Sequence, residues 1–341
     1  MRALLALALT MLVAWVGPAN AQSVADFYRG KSINLLIAYT AGGGYDLNAR
    51  VLARHLGKHI PGNPTVIPQN FAGAAGLRLA NFIYNAAPKD GTTIGMFARG
   101  SSTAPIISNE GVQFDSRRYT WIGSVSDEVS LCASWHTSKV KSFDDLLTMP
   151  FVAGAQGSLS DSAVFANILR STFGAKIRVV TGYPGTNEVS LAMERGEVEG
   201  RCGWAWGSIK ITQPEWLKSK KLIPLIQLSL VRSPELPDLP LILDRARNER
   251  ERKMFQLVFS RQQMAWPIAA PPDIPADRAA ALRTAFDATM KDPAYLAEAK
   301  ERFLDVNPMR GVAMEKLIRE LYEAPADVIS ATKAAMSEGS K

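Results

Sequence analysis

Short apolar runs alternate with amphipathic segments along most of this chain. An apolar run at 33–39 is followed by a segment at 46–59, in which alanine and leucine residues between Ala49 and Leu56 recur at the spacing of one helix face. Further strand-like runs at 65–68 and 93–97 flank another helical segment. This alternation predicts an α/β domain with a largely parallel sheet.

A second cycle of the same kind begins after residue 125. Its strand-like and helical segments extend to 204, and the apolar run 222–230 is predicted to be a strand that returns to the first domain. A mature chain of about 320 residues is longer than a domain with a single hydrophobic core usually is, so two lobes are expected. We assign 22–127 plus 225–341 to lobe 1 and 128–224 to lobe 2. Two hinge crossings, near 126–130 and 222–229, would connect the lobes.

The N-terminus has the order of a secretory signal peptide. Arg2 precedes an apolar run, and the small residues 19–21 follow Pro18, which predicts cleavage after Ala21 and a periplasmic mature protein. No later run is long and apolar enough for a membrane span, so we expect a chain that is not itself membrane-spanning. A monomer is the default for this architecture.

Charge and cysteine usage narrow the function further. The formal charge of the full chain is +7, and the basic residues are scattered among acidic ones without a continuous stripe, which argues against a nucleic-acid partner. Cys132 and Cys202 form an even pair in an exported chain. One disulfide is the favoured interpretation, and two buried free thiols are the alternative.

Two distant segments share one pattern of strand, glycine loop and helix. Gly42, Gly43 and Gly44 precede Asp46, and Gly157 precedes Asp161, each aspartate being a predicted N-cap. Glycine allows close backbone approach, and a helix start offers N–H groups to an anion, so this pattern indicates an anion site without any cation. Facing each other across a cleft, the two loops would hold a short dicarboxylate, or one carboxylate and a polar group.

Polar loops follow the strands at 93–97 and 177–180, and they are expected at the same edge of the sheets as the two glycine loops. Their hydroxyls and amides are expected to orient a ligand, and aromatic side chains to cover it; helix capping and core packing are the alternative roles. The candidate ligand-binding residues are Tyr39, Thr40, Ala41, Gly42, Gly43, Gly44, Tyr45, Asp46, Ser101, Ser102, Gln156, Gly157, Ser158, Asp161, Tyr183, Thr186, Asn187 and Trp204.

The segment 27–50, with its strand, Ala-Gly-Gly loop, Asp46 and Ala49-Arg50 pair, resembles the opening of the solute receptors of tripartite tricarboxylate transporters, the Bug/TctC-like proteins. The resemblance continues in order through 70–76, 86–93, 183–185, 195–199 and 232–240. It implies a type II periplasmic-binding-protein fold and a carboxylate held between loops 40–45 and 156–160. It also implies delivery to the membrane components of such a transporter, with no cofactor and no catalytic residue.

The chain departs from the family pattern in two places. The asparagine-rich stretch of the family reads Gln69-Asn70-Phe71 here, and the usual Met-Phe-Asp reads Arg201-Cys202-Gly203, beside an unusual Trp204-Ala205-Trp206. These departures bear on ligand identity.

Other functions are weighed on the same residues. The glycines lack the spacing of a dinucleotide site, and no serine lies in the Gly-x-Ser-x-Gly context of a hydrolase. His55 and His59 are four residues apart but have no third metal ligand nearby, so no metal is expected. A ligand sensor that docks a signalling protein shares the receptor fold and stays open as an alternative.

Overall fold

The computed structural model describes residues 22–108 and 110–337, so the predicted signal peptide lies outside the described residues. Two sheets organise the chain. The first has the strand order β11-β4-β10-β3-β1-β2. Its strands are β1 (Ser32–Ile37), β2 (Thr65–Asn70), β3 (Thr93–Met96), β4 (Thr120–Ser124), β10 (Pro267–Ala270) and β11 (Met309–Arg310).

The second sheet has the order β7-β6-β8-β5-β9. Its strands are β5 (Ser130–Trp135), β6 (Phe151–Gly154), β7 (Ile177–Val180), β8 (Gly200–Ala205) and β9 (Leu222–Leu228). We call the parts of the chain built on these two sheets the first and second lobes.

Both sheets are mixed, whereas the sequence pattern predicts largely parallel ones. In the first sheet β1 is parallel to β2 and β3, but β10 is antiparallel to both β3 and β4. In the second, β6 is parallel to β7 and β8, but β5 is antiparallel to β8 and β9. Strand β11, at the edge of the first sheet, is likewise antiparallel to β4.

Helices cover the sheets. They are α1 (Val24–Tyr28), α2 (Gly44–Leu56), α3 (Leu77–Asn85), α4 (Ala104–Ile107), α5 (Phe143–Thr148), α6 (Asp161–Phe173), α7 (Thr186–Glu194), α8 (Trp206–Thr212), α9 (Pro214–Lys218), α10 (Glu249–Phe259), α11 (Ala276–Thr289), α12 (Pro293–Glu301), α13 (Gly311–Tyr322) and α14 (Ala326–Ser337). Within the described ranges, none of them is long and apolar enough to cross a membrane.

Strand β1 shows how the first lobe is packed. Ile33, Leu35 and Ile37 point into a core shared with α2, whereas Leu36 points into another core, shared with α3. Alternate side chains of a strand face opposite sides, so this strand is covered by helices on both. A strand buried in this way reads as a continuous apolar run, which is why the sequence identifies it correctly.

The return to the first lobe comes later than the sequence predicts. Strand β9 pairs antiparallel with β5 and therefore belongs to the second sheet, so the expectation that this run returns to lobe 1 is wrong. Helix α10 also packs into the core of the second lobe. We infer that the second crossing is 260–266. It lies beside the first, because the Glu128 N–H donates to the Gln262 carbonyl (2.9 Å) and the Ala265 N–H to the Ser126 carbonyl (3.0 Å).

Candidate functional site

The first glycine loop leads from the end of β1 into α2. The residue that caps α2 is Gly43 rather than Asp46, and Asp46 lies in the first helical turn. Its carboxylate reaches back to accept the N–H of Gly42 at 2.9 Å. Gly42 has a φ of +81°, in the region that favours glycine, so the loop turns tightly at this residue.

The second loop leads from β6 into α6, whose N-cap is Ser160 rather than Asp161. The Ser160 hydroxyl accepts the N–H of Ala163 at 3.3 Å. Asp161 is therefore the first helical residue, with its carboxylate available to face the space between the lobes. Gly203 of β8 makes this position possible, because a Cβ there would lie 2.5 Å from the Asp161 carbonyl.

The two lobes touch across this edge. A Cβ on Gly43 would lie 2.8 Å from the Thr186 hydroxyl, and the Asn187 amide donates to the Ala41 carbonyl at 3.3 Å. The first glycine loop thus faces the start of α7, whereas Gly157 of the second loop lies against Ala75. The lobes are closed on each other in this structure.

A small cavity of about 30 Å³ lies between the lobes. That volume holds about one or two water molecules, as expected where the cleft is closed. Both lobes supply its walls. The lining residues are Tyr39, Tyr45, Ala98, Arg99, Gly100, Gln156, Leu159, Asp161, Ser162, Thr186, Arg201 and Gly203.

Two buried arginines share one aspartate beside the cavity. Arg99 Nε lies 2.6 Å from one oxygen of Asp161, at an angle too poor for a hydrogen bond, and Arg261 Nη1 lies 3.1 Å from the other oxygen. Each arginine has a further partner, since Arg99 donates to Gln262 (2.8 Å) and Arg261 to the Thr103 hydroxyl (2.7 Å). This network joins the lobes by charge and gives each of the two guanidiniums a carboxylate partner, although the Nε of each has no hydrogen bond.

Arg201 is the exception among these arginines. It is only 4% exposed, and no carboxylate in the described part of the chain lies within ion-pair distance of it. Its one hydrogen bond reaches the Thr186 carbonyl at 3.5 Å, its Nε has no partner, and its guanidinium stacks on Trp204 at 4.9 Å. Burial lowers the pKa of Arg201 to about 10, which leaves the group charged at neutral pH.

The sequence pattern predicts an anion site without a cation, whereas the walls of the interlobe cavity include two arginines. Arg99 and Arg201 line the cavity, and Arg261 lies directly behind Asp161. The basis for the expectation was that neither glycine loop contains a basic residue. The arginines come instead from a 3-10 turn (Arg99–Ser102), from a second such turn (Ser260–Met264) and from the second residue of β8.

Only some of the predicted site residues line the interlobe cavity. Those that line the cavity are Tyr39, Tyr45, Gln156, Asp161 and Thr186. Those that do not are Thr40, Ala41, Gly42, Gly43, Gly44, Asp46, Ser101, Ser102, Gly157, Ser158, Tyr183, Asn187 and Trp204. Among the latter, the Ser102 hydroxyl donates to the carbonyl of Arg99 (2.7 Å), and Trp204 belongs to the core of the second lobe.

Glu128 lies at the first crossing, behind the arginines. Its carboxylate accepts the N–H groups of Val129 (3.0 Å) and Gly207 (3.1 Å). Burial raises the pKa of Glu128 to about 7, although the nearby charge of Arg99 acts in the opposite direction. The surroundings of this carboxylate therefore favour its neutral form.

Cys132 and Cys202 are joined in a disulfide that links β5 to β8. The pairing of these strands shifts register between Leu131 and Ala133, so Cys202 and Gly203 together oppose Cys132. Such a bulge re-aims the neighbouring side chains. Here the bulge lies between Arg201, which lines the cavity, and Trp204, on which the Arg201 guanidinium stacks.

The histidines do not form a catalytic or metal-binding group. His55 pairs with Glu298 and His59 with Asp292, both at 2.8 Å. Each ring therefore has a different carboxylate partner, Glu298 in α12 and Asp292 at the N-cap of α12, and basic side chains share both carboxylates. In the described ranges no cluster of three or more His, Cys, Asp or Glu side chains could hold a metal ion.

Comparison with known sequences gives distant relatives. No family model matches the chain. A UPF0065 protein from the TAR-I ttuE-ttuC' intergenic region of Agrobacterium vitis is 24% identical over 301 residues, 86% of this chain and 78% of that protein. Another UPF0065 protein, from the gbd 5' region of Cupriavidus necator, is 42% identical over 81 residues, which are 24% of this chain and 23% of that protein.

Comparison with solved structures shows the fold. The periplasmic binding protein BugD superposes with a TM-score of 0.72 at 20% identity, covering 90% of this chain and 98% of BugD. R. palustris Rpa4515 with adipate gives 0.71 at 17% identity (89% and 98% covered). MatC from Rhodopseudomonas palustris with bound malate gives 0.69 at 16% identity (90% and 99% covered). The predicted two-lobed binding-protein fold is confirmed, as is the resemblance to Bug-type proteins.

Proposed function

We propose that this protein is a periplasmic solute receptor that captures a small carboxylate between its lobes and delivers it to the membrane components of a tripartite tricarboxylate transporter. It makes and breaks no covalent bond. The observation that carries the proposal is the buried cation Arg201, which lines an interlobe cavity and has no carboxylate within ion-pair distance among the described residues. A buried charge is costly unless it is paired, and a ligand carboxylate supplies the missing partner.

The relatives support the class of ligand. BugD is a periplasmic binding protein, and adipate and malate, which are bound by Rpa4515 and MatC, are both small carboxylates. Ligand would contact Tyr45, Arg201 and Thr186, which come from both lobes, and so favour a closed state. That state must be wider than the present one, because a cavity of about 30 Å³ holds only one or two water molecules. The membrane partner would then bind the closed form.

A thermal-shift screen of the purified protein tests the receptor function. The panel contains mono-, di- and tricarboxylates, aromatic acids, amino acids and neutral sugars. We expect one carboxylate class to raise the melting temperature, since a ligand that binds only the folded state stabilises it. Arg201→Gln should lose the response. Arg178→Gln, an exposed arginine on β7 of the same lobe, is the matched control and should keep it.

A shift with neutral sugars and none with any acid would contradict the carboxylate proposal. Delivery is tested separately, in a strain that lacks the gene. Loss of uptake of the identified acid is the expected result, whereas normal uptake with lost gene induction by that acid would indicate a sensor instead.

A further inference from the structure

Asp161 is paired with two of the three arginines beside the cavity, Arg99 and Arg261. One of its oxygens faces Arg99 at 2.6 Å and the other faces Arg261 at 3.1 Å, so both sides of the carboxylate are engaged. Arg261 is fully buried, and Gln262 and Thr103 take further N–H groups of this network. A ligand carboxylate could reach these guanidiniums only by displacing a carboxylate of the protein itself.

Of the three arginines beside the cavity, Arg201 is the one that has no carboxylate within ion-pair distance in the described part of the chain. It is buried in the cavity wall beside Thr186, its Nε lacks a partner, and its hydrogen bond to the Thr186 carbonyl lies at the limit of length. Thr186 begins α7, a helix of nine residues whose N-cap, Gly185, offers no side chain to the first N–H groups. A buried guanidinium and the start of a helix thus lie side by side, and both favour an anion, whereas Glu188 in the same helical turn acts against one.

We propose that the cleft is selective for monocarboxylates, that Arg201 and the start of α7 bind the single carboxylate, and that Asp161 excludes a second one. The inference rests on the proposed function and narrows its ligand class. A second ligand carboxylate near Arg99 would face Asp161 as a like charge in a buried site, which is unfavourable. Adipate and malate, bound by the relatives, each have two carboxylates, so this chain would differ from them in ligand charge.

The test compares acids that share a carbon skeleton and differ in one carboxylate. Suitable pairs are butanoate with succinate, hexanoate with adipate, and benzoate with terephthalate, measured by thermal shift and then by calorimetry on the full purified protein. In the wild type we expect the monocarboxylate of at least one pair to bind tenfold or more tightly than its dicarboxylate. Arg201→Gln should weaken that monocarboxylate about a hundredfold, whereas Arg178→Gln should leave it unchanged.

Asp161→Asn tests the excluding role. The variant leaves the charges of Arg99 and Arg261 unmatched, so a dicarboxylate should bind it at least tenfold more tightly than it binds the wild type, and should raise its melting temperature more. Asp144→Asn, at an exposed position at the start of α5, is the matched control. Circular dichroism checks that each variant is folded. If Asp161→Asn does not fold, the comparison of mono- and dicarboxylates on the wild type still decides whether the cleft prefers monocarboxylates.

The outcomes separate the inference from the proposed function. Tighter wild-type binding of the dicarboxylate in every pair that binds, still dependent on Arg201, would overturn monocarboxylate selectivity and leave the carboxylate receptor standing. Binding of dicarboxylates that Asp161→Asn does not strengthen would overturn the excluding role. Binding of no acid of either kind would overturn both the inference and the proposed function.

Discussion

Replacement of Arg201 by methionine should stabilise the ligand-free protein while it abolishes carboxylate binding. Methionine keeps the length of the side chain and its contact with Trp204, on which the guanidinium stacks at 4.9 Å. The hydrogen bond that it removes, to the Thr186 carbonyl at 3.5 Å, is a weak one. The variant therefore removes a buried charge and little else.

The magnitude follows from the pKa of the group. Burial lowers the pKa of Arg201 from its ordinary value to about 10, and at about 1.4 kcal/mol per unit the charged form is disfavoured in the folded state by about 3 kcal/mol. Because the folded pKa lies below the unfolded one, this cost is present at every pH below about 10 and disappears as pH rises from there to the unfolded pKa. At neutral pH the variant should gain most of it.

Arg261→Met is the matched control, because Arg261 is equally buried but is paired with Asp161. Breaking a buried pair by removing one partner destabilises a protein by about 3 kcal/mol or more. Urea denaturation without ligand measures both variants against the wild type, provided that the slopes agree. Opposite signs are expected. A loss of stability in Arg201→Met as large as that in Arg261→Met would show that Arg201 has a strong partner within the protein, and would refute the reasoning about the ligand.

Three further predictions concern the bridge, the crossing and the cleft. Alanine at both Cys132 and Cys202 should lower the free energy of unfolding by about 4 kcal/mol, measured by urea denaturation, because the bridge closes a loop with a sequence separation of 70. Because the pKa of Glu128 is raised in the folded state, the free energy of unfolding should fall as pH rises from about 4.5 through 7. The fall should be smaller than the roughly 3 kcal/mol of the full shift, because the side chain is partly exposed. Glu128→Gln should flatten this pH dependence, and a pH profile unchanged by the substitution would contradict the prediction. Gly43→Val should weaken ligand binding at least tenfold in calorimetry by meeting the Thr186 hydroxyl across the cleft, and wild-type affinity in a folded variant would count against closure at this contact.

The fold could be predicted from the sequence where burial leaves a periodic signal. The apolar run of β1 and the helix spacing of α2 are examples, and both are observed within a few residues of the expected bounds. The assignment of Leu222–Leu228 to the first lobe failed because an apolar strand fits either sheet, and the choice is made by pairing with β5. Asp161 was misplaced as a helix cap because Ser160, one residue earlier, competes for that position.

The cleft was predicted less completely, since basic residues on strands and turns usually face solvent. Arg201 lies in β8, a strand whose residues are all buried because both of its faces are covered. The sequence alone does not show that the face carrying Arg201 is covered. Arg99 belongs to a turn that the sequence does indicate as part of the site, but the pattern there points to the hydroxyls of Ser101 and Ser102. The one sequence signal for Arg201 was the departure of residues 201–203 from the family pattern.

Arg201, Cys202 and Gly203 are consecutive, and each depends on the others. The arginine lies in the cavity wall, the cysteine anchors the strand through the disulfide, and the glycine admits the start of α6 that presents Asp161. Any side chain at Gly203 would push away the carboxylate that separates the other two arginines. Randomising one of these positions alone should therefore yield mostly damaged proteins, and a library that aims to change ligand preference should vary all three together with Asp161.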